Sequence, residues 1–218
     1  MANKRIFIIL GMHRSGTSAV AGLLHTSGIS MGFTFRKPLE QNPKGFFEEE
    51  LFRQFNDILL NKVGYNVKEW RTDYSGVVAD YLEITTGIKI IKSFDHNIRS
   101  WGWKDPRTCL TIDVWLKVLR SCGMLQYTNI IIVNRSIKAV SKSLFIRGNI
   151  VDLNEGEKLY KMYHQHINIG LSNYRNKINI LTISYENLIK GNDFNRLESF
   201  CDVKLDKNFI DTSLNHGD

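Results

Sequence analysis

The residues with the clearest capacity for chemistry stand near the start of the chain, in the stretch GMHRSGTS. Gly11 and Gly16 enclose four residues, which is the outer spacing of a phosphate-binding loop. Backbone N–H groups in such a turn, where it leads into a helix, form a cradle for an oxyanion. A nucleotide triphosphatase would place a lysine directly after Gly16. Here Thr17 and Ser18 follow, and Arg14 supplies the positive charge instead.

A second basic segment lies in the middle of the sequence. Between Val114 and Val151 there is no acidic residue, while six basic residues stand there: Lys117, Arg120, Arg135, Lys138, Lys142 and Arg147. A solvated helix face is one interpretation of this pattern. A site for an anionic ligand is the other, and composition alone does not decide between them.

The elements that must position these residues follow from hydrophobic periodicity. Strands are predicted over 5–10, 88–91, 127–133 and 178–185. Helices are predicted over 17–25, 46–60, 111–120 and 138–145, with a further helix from a cap at Asn154 and Glu157 to about Tyr174. Residues 32–45 are predicted to form a long functional loop. Because apolar strands alternate with helices, we expect an α/β fold, a three-layer sandwich with a central parallel sheet and a P-loop-like strand-loop-helix.

The composition narrows the class of protein. A chain of 218 residues, 43% hydrophobic and 23% charged, fits one domain over residues 1–218. Its net charge of +7 suggests anionic ligands but is too small and dispersed to indicate nucleic acid. No segment approaches the roughly 20 apolar residues of a membrane span, and no signal-peptide core is seen, so we expect a cytoplasmic protein. Cys109, Cys122 and Cys201 are widely spaced, which indicates neither a disulfide framework nor a zinc site.

The loop GMHRSGTS resembles the 5′-phosphosulfate-binding loop of the sulfotransferases that use 3′-phosphoadenosine 5′-phosphosulfate (PAPS), in which Lys or Arg precedes S-G-T or S-G-S. VNRSIKAVSKSLFIRGN resembles the 3′-phosphate motif of that family, with Arg135 at a strand end and Ser143 eight residues later. NPKGFFEEELF and WGWKDPRTCLTIDVW are similar to segments of bacterial members, and ISYENL matches a strand-end Y-E-[DN]-L pattern. The resemblance spans Ile6 to about Leu188. It departs from the family at the end, because the Arg-Lys-Gly loop that closes over the cofactor in the larger animal enzymes has no counterpart before Asp218.

This resemblance implies that the chain binds PAPS and releases adenosine 3′,5′-bisphosphate, with no metal ion required. The cofactor-binding residues that it implies are His13, Arg14, Ser15, Gly16, Thr17, Ser18, Arg135, Ser143 and Tyr185. The planar fork of Arg135 suits a phosphate, and Ser143 can reach the same group if a helix begins between the two. Tyr185 would lie near the adenine edge. Trp101 and Trp103 are expected in the core or in the wall of the acceptor pocket rather than on the cofactor.

Sulfuryl transfer also needs a base within about 3 Å of the acceptor hydroxyl. The family uses His or Glu for this purpose. We expect Glu48, because it follows the loop after the first helix, where glycan and protein sulfotransferases supply a catalytic glutamate. The alternatives are Glu40, His13 and His25, although His25 is expected to be a satisfied polar residue. Glu49 and Glu50 are expected to face solvent.

Positive charge must also stabilise the leaving oxygen, and Arg14 is expected to provide it. We assign Lys104 to the catalytic set as well. Lys104 and Arg107 could instead form structural ion pairs with Asp105 and acidic neighbours.

The expected reaction is transfer of a sulfuryl group to a hydroxyl of a saccharide or another small metabolite. Two other classes stay open. A P-loop nucleotide kinase-like phosphotransferase is disfavoured by the missing lysine and by the lack of a clear apolar strand that ends in a magnesium-binding Asp. A non-catalytic binder of nucleotide or sulfated glycan would keep both phosphate motifs but would need no base.

Overall fold

The computed structural model describes residues 4–35, 37–38, 42–95 and 99–210. In them the chain forms a four-stranded parallel sheet in the order β2-β1-β3-β4. The strands are β1 Arg5–Leu10, β2 Ser100–Lys104, β3 Thr128–Asn134 and β4 Asn179–Ser184. Strand β1 is central, since Ile8 pairs with Trp103 of β2 on one side and with Ile130 of β3 on the other. The parallel sheet predicted from the apolar strands is confirmed.

Helices separate and follow these strands. They are α1 Thr17–Thr26, α2 Glu50–Lys62, α3 Tyr81–Phe94, α4 Thr108–Ser121, α5 Ile137–Ile146, α6 Leu153–Leu171, α7 Tyr185–Ile189 and α8 Phe194–Cys201. Single turns of 3-10 helix occur at Val67–Glu69, Leu125–Tyr127 and Lys207–Phe209. Among the residues that the structure describes, no helix is long and apolar enough to cross a membrane.

The two faces of the sheet are covered by different helices. Along β1, Phe7 and Ile9 pack into a core cluster with side chains of α1, α7 and α8. Ile8 and Leu10, which point to the other face, pack into a second cluster with side chains of α2 to α6. Alternation of side chains along a strand therefore buries β1 on both faces. The result is the predicted three-layer α/β sandwich.

All four strands end at the same edge of the sheet because they run parallel. At this carboxyl edge, β1 leads into the phosphate loop and β2 ends at Lys104. Arg135 directly follows β3, and Tyr185 directly follows β4. The carboxyl edge is where open parallel sheets bind ligands. The topology thus brings together residues that are far apart in the sequence.

One predicted strand is wrong. Residues 88–91 lie inside α3, which begins at a capping box formed by Asp80 and Glu83. The apolar run IKII is part of a helical stripe, in which Gly87, Ile91 and Phe94 face the core.

The strand that the periodicity missed is β2, with the sequence SWGWK. Gly102 sits in close contact with β1, because a Cβ there would come within 2.0 Å of the Phe7 carbonyl oxygen. Trp101 and Trp103 are fully buried, as expected of core residues.

Two helix starts also differ from the prediction. Helix α2 begins at Glu50 and not at Phe46, and α4 begins at Thr108, three residues before the predicted start. The cap of α6 is Asp152 rather than Asn154, since the Asp152 carboxylate accepts a hydrogen bond from the Glu155 N–H. Aspartate and asparagine both accept such a bond, so the capping pattern in the sequence fitted Asp152 as well as Asn154.

Candidate active site

The loop between β1 and α1 adopts backbone conformations that few residues accept. Gly16, the N-cap of α1, has a φ of 85°, and Arg14 has a φ of 69°. A Cβ at Gly16 would lie 2.1 Å from a ring atom of Tyr185, so glycine is required there for space as well as for φ. A non-glycine residue in the left-handed region is uncommon and tends to occur at binding sites. The Arg14 backbone is such a case.

Two buried polar atoms in this loop have no hydrogen-bond partner among the described residues: His13 Nε2 and Ser15 Oγ. Buried polar atoms are nearly always paired in native proteins. The backbone around them is well held, since Ser15 N–H donates to the Met12 carbonyl oxygen at 3.1 Å. The unpaired atoms are consistent with a loop that is completed by a ligand.

A cluster of basic side chains lies on one side of the loop. Arg14 Nε donates to Ser143 Oγ at 3.0 Å, and Arg135 Nη1 donates to the Arg14 carbonyl oxygen at 3.0 Å. The pKa of Arg14 is lowered to about 10, first by burial and then by the positive charges of Arg147 and Arg135. We call these three arginines, with Ser143, the arginine cluster. Such a gathering of like charges favours a bound anion.

Opposite charges are paired on the other side of the loop. Lys104 is buried at the end of β2, and its Nζ donates to Ser18 Oγ at 3.1 Å and to Glu48 Oε1 at 2.8 Å. Arg107 forms 2.8 Å ion pairs with Asp105 and Asp57, and its Nη1 lies 4.0 Å from Glu48 Oε2. We call these residues the carboxylate network: Glu48, Asp57, Lys104, Asp105 and Arg107.

Lys104 connects Glu48 to the phosphate loop, because its Nζ donates to both Glu48 Oε1 and Ser18 Oγ. Burial is the largest influence on the pKa of Glu48 and acts to raise it. The charge and hydrogen bond of Lys104, together with the other nearby positive charge on Arg107, act against burial, and the pKa of Glu48 lies below its ordinary value. The carboxylate is therefore ionised at neutral pH.

Lys104 contacts the phosphate loop at Ser18 and pairs with Glu48, while Arg107 pairs with Asp57 and Asp105. A catalytic function of Lys104 stays a prediction.

His13 lies on the side of the carboxylate network. Its ring meets Trp70 edge to face at 5.1 Å and Tyr163 at 6.0 Å between centroids. Burial, followed by the charge of Arg107, lowers the pKa of His13 to about 3. The imidazole is neutral at physiological pH, so it adds no positive charge to the loop.

Two candidate bases remain, Glu40 and His25, as well as Glu49, which was expected to face solvent. Glu40 lies outside the described residues. His25 Nδ1 accepts a hydrogen bond from the Met31 N–H at 3.2 Å, as expected of a satisfied polar residue. The prediction that Glu49 faces solvent is wrong. Its side chain is buried, because Oε2 accepts hydrogen bonds from the N–H groups of Phe33 and Thr34 at 2.6 and 2.7 Å.

No clear apolar strand that ends in a magnesium-binding Asp was expected, and Asp105 is the residue that bears on this expectation. Strand β2 is buried, and Asp105 directly follows it. The Asp105 carboxylate is occupied, however. It accepts hydrogen bonds from Asn56 Nδ2 at 2.8 Å and from Arg107 N–H and Nη1 at 3.1 and 2.8 Å. With an arginine as its ion-pair partner, Asp105 is arranged as a structural residue rather than as a magnesium ligand.

A pocket opens beside the phosphate loop. Residues 16–19 and 42–45 line it, together with Arg14, Arg135, Tyr185, Phe209 and Ile210. Lys44 Nζ donates to the Phe209 carbonyl oxygen and lies 5.0 Å from the centre of the Phe209 ring. The Tyr185 ring is packed against Gly16, and the Arg135 guanidinium lies 5.0 Å from its centre. The pocket therefore offers an aromatic ring and positive charge next to the oxyanion cradle.

Three residues of this region were not among the residues that the sequence suggested for the site. Lys44 lies in the segment NPKGFFEEELF and Phe209 in no motif, and the fold brings the two together. Arg147 had a signal, since it lies four residues after Ser143, and residues at that spacing share a helix face. The structure places its charge close enough to Arg14 to lower the pKa of that residue.

Searches with the sequence find no matching protein-family model and no matching curated protein. Comparison of structures finds the sulfotransferase domain from the olefin synthase of Synechococcus PCC 7002, with a TM-score of 0.53 and 15% identity over 100% of this chain and 82% of that chain. The sulfotransferase STF1 from Mycobacterium tuberculosis H37Rv matches with a TM-score of 0.47 and 13% identity, over 94% of this chain and 70% of that chain. The first likeness covers every element that carries the candidate site. The chain therefore has the fold of the sulfotransferase family, as the resemblance of its motifs indicated.

Proposed function

We propose that the chain is a single sulfotransferase domain that moves a sulfuryl group from PAPS to a hydroxyl of a saccharide or another small metabolite. The observation that carries this proposal is that Arg14 of the phosphate loop is hydrogen-bonded to both Ser143 and Arg135, which follow β3. A nucleotide with a 5′-phosphosulfate and a 3′-phosphate needs two anion sites, and we assign one to the phosphate loop and the other to Arg135 and Ser143. ATP, whose phosphates form one chain, does not need two such sites.

The residues present fit PAPS. Arg14, the N–H groups of residues 16–18 and the unpaired Ser15 Oγ suit the 5′-phosphosulfate. Arg135 and Ser143 of the arginine cluster suit the 3′-phosphate. The pocket between them, which includes Tyr185 and Phe209, suits the adenosine part. Lys44 and Phe209 line the pocket and contact each other, and we assign to them the function of the absent Arg-Lys-Gly loop.

The reaction needs a proton acceptor and a positively charged environment for the leaving phosphate. PAPS, when bound, supplies the sulfuryl group. Glu48 is ionised and accepts the proton of the acceptor hydroxyl, while Lys104 holds its carboxylate against the phosphate loop through Ser18. Arg14 stabilises charge on the phosphate oxygen as the bond to sulfur breaks. Sulfur thus exchanges one oxygen partner for another, and the proton stays on Glu48.

A nucleotide kinase is the main rival. The lysine that a kinase phosphate loop needs is absent after Gly16. The Asp105 carboxylate, which could otherwise bind magnesium, is held by Asn56 and Arg107. We predict that magnesium is not required, and the cytoplasmic location also stays a prediction. Neither statement follows from the fold.

The experiment that tests the proposal is calorimetry with adenosine 3′,5′-bisphosphate and with ATP, each with and without magnesium. We expect the bisphosphate to bind much more tightly, independently of magnesium. Transfer of labelled sulfate from PAPS to a panel of hydroxyl compounds then identifies the acceptor. Magnesium-dependent ATP binding with no binding of the bisphosphate would instead support the kinase.

A further inference from the structure

Glu49 directly follows the proposed base and differs from its two neighbours in burial. It is buried, whereas Glu48 and Glu50 are each partly exposed. Its Oε2 accepts hydrogen bonds from the N–H groups of Phe33 and Thr34 at 2.6 and 2.7 Å. Hydrogen bonds from N–H groups to a carboxylate are stronger than those between neutral groups. A buried carboxylate bound in this way fixes the position of the residue that carries it.

The backbone around Glu49 is joined to the same segment. Glu49 and Phe35 form an isolated antiparallel bridge, and the Glu50 N–H donates to the Thr34 carbonyl oxygen at 3.1 Å. Gly32, which has a φ of 130°, leaves room for the carboxylate, because a Cβ there would lie 2.5 Å from Glu49 Oε2. The segment therefore surrounds the Glu49 side chain closely.

Phe47, on the other side of Glu48, is also held in place. Its φ of 50° is uncommon for a bulky residue. Its ring lies 5.7, 5.5 and 5.9 Å from the rings of His25, Phe35 and Phe209, measured between centroids. A strained backbone persists only where its surroundings hold it, and such strain is frequent at functional sites. Both neighbours of Glu48 are thus fixed, one by aromatic packing and the other by hydrogen bonds.

We propose that Glu49 is a positioning residue, whose buried carboxylate holds Glu48 in place for the reaction. Glu48 Oε1 lies 2.8 Å from Lys104 Nζ, while Glu49 is bound to residues 33 and 34, so the two adjacent carboxylates are tied to different parts of the chain. A displacement of about 1 Å between reacting groups can cost roughly 100-fold in rate. This inference rests on the proposed function, in which Glu48 is the base.

A purely structural function of Glu49 leads to a different expectation. Removal of the carboxylate would then lower stability without acting through Glu48, and ligand binding and turnover would change together. A positioning residue loses its effect on turnover once Glu48 itself is replaced, because both changes then act on the same step. A double-mutant cycle therefore separates the two functions.

The experiment compares Glu49→Ala, Glu48→Gln and the combined variant in transfer of labelled sulfate from PAPS. We expect Glu49→Ala to lower kcat by roughly 10- to 100-fold, with parental affinity for adenosine 3′,5′-bisphosphate. The combined variant should have the kcat of Glu48→Gln alone. Glu49→Gln keeps an oxygen that can accept from the two N–H groups, so it should recover part of the lost turnover.

A second measurement does not require activity. NMR titration of the glutamate carboxyl carbons gives the pKa of Glu48, which is assigned from the signal that Glu48→Gln removes. In the parent, burial raises this pKa, but the charges and the hydrogen bond of the basic neighbours leave it below its ordinary value. In Glu49→Ala the pKa should move up towards the ordinary value, because Glu48 is no longer held against Lys104.

The matched control is Glu83→Ala. Glu83 also accepts a hydrogen bond from a backbone N–H, that of Asp80 at 2.8 Å, but it lies at the start of α3. This variant should transfer sulfate as the parent does. Thermal melting checks that the variants fold, and if Glu49→Ala does not, Glu49→Gln takes its place in the cycle with effects of the same direction and smaller size.

Three results would each overturn the proposal. The first is parental kcat in Glu49→Ala, and the second is an equal loss of kcat on adding Glu49→Ala to Glu48→Gln. The third is an unchanged pKa of Glu48 in Glu49→Ala. A parent that transfers no sulfate to any acceptor would refute the proposed function, while the pKa comparison would still decide whether Glu49 holds Glu48.

Discussion

The two sides of the phosphate loop use arginine in opposite ways. Arg14 and Arg107 are both largely buried, and burial acts to lower the pKa of each. Among the other arginines of its cluster, Arg14 has a pKa lowered to about 10. Among Asp105, Asp57 and Glu48, Arg107 has a pKa raised above its ordinary value. The arginine cluster is thus the proposed anion-receiving side, while the carboxylate network, in which Arg107 is paired, is the neutralised side.

The largest effect is expected on the neutralised side, from Glu48→Gln. The variant keeps the shape of the side chain and loses its basicity, so turnover should fall by roughly 10²–10⁴ while bisphosphate affinity changes little. Turnover is measured as sulfate transfer from PAPS to an acceptor found by screening.

Glu50→Gln is the matched control, because Glu50 carries the same charge two residues later and pairs with Arg53 on α2. Its turnover should equal that of the parent. If Glu40→Gln abolishes turnover and Glu48→Gln does not, the base lies in the loop before Glu48. If neither matters, His13 becomes the candidate.

A stability measurement separates the two sides directly. Asp105→Ala removes a fully buried partner of Arg107 and should lower the free energy of unfolding by about 3–5 kcal/mol. Arg14→Ala removes one of several like charges, so it should cost much less stability without ligand. Urea unfolding measures both. Equal losses of stability in the two variants would contradict the contrast between the arginine cluster and the carboxylate network.

The anion-receiving side is tested by Arg135→Ala. Loss of a charge-assisted phosphate contact should weaken binding of adenosine 3′,5′-bisphosphate by about 1–3 kcal/mol. Affinity for adenosine 5′-phosphate, which lacks the second phosphate, should change less. Lys138→Ala, three residues along on an exposed face, is the control for general loss of charge. Calorimetry that finds parental affinity for the bisphosphate in Arg135→Ala would refute the 3′-phosphate assignment.

The smallest effect concerns the pH dependence of stability through His13. Its pKa falls from an ordinary value of 6.5 to about 3 on folding, so between these values the unfolded chain binds a proton that the folded chain does not. Stability must therefore fall as the pH drops below 6.5. His13→Asn should reduce this slope by up to about 1 kcal/mol per pH unit, since His13 is only partly buried.

Urea unfolding between pH 6.5 and 5 measures that slope, in a range where most carboxylates stay ionised. His25→Asn is the comparison, because burial also lowers the pKa of His25. An unchanged slope in His13→Asn would mean that His13 is not shielded as the structure places it.

The central unit of the fold can be predicted from local sequence. The run from Ile6 to Leu10 is apolar throughout and is followed by Gly11, and the apolar residues after Thr17 recur at helical spacing. These are local properties, since strand burial, glycine freedom and helix periodicity all act over a few residues. The same holds for β3 and for Arg135 and Ser143 after it.

Tertiary contacts decided the remaining elements and most of the site chemistry. IKII is apolar enough for a strand, yet packing of its helical face on the core and the Asp80 cap make it part of α3. The ion pair of Lys104 with Glu48 spans 56 positions, and the bond of Lys104 to Ser18 spans 86. A motif shows which charged residues are present in the sequence. The pKa of each residue depends on neighbours within a few ångströms, and the order of the parallel strands determines which residues become neighbours. That is why the sequence named the arginines, whereas only the fold could give Arg14 and Arg107 opposite surroundings.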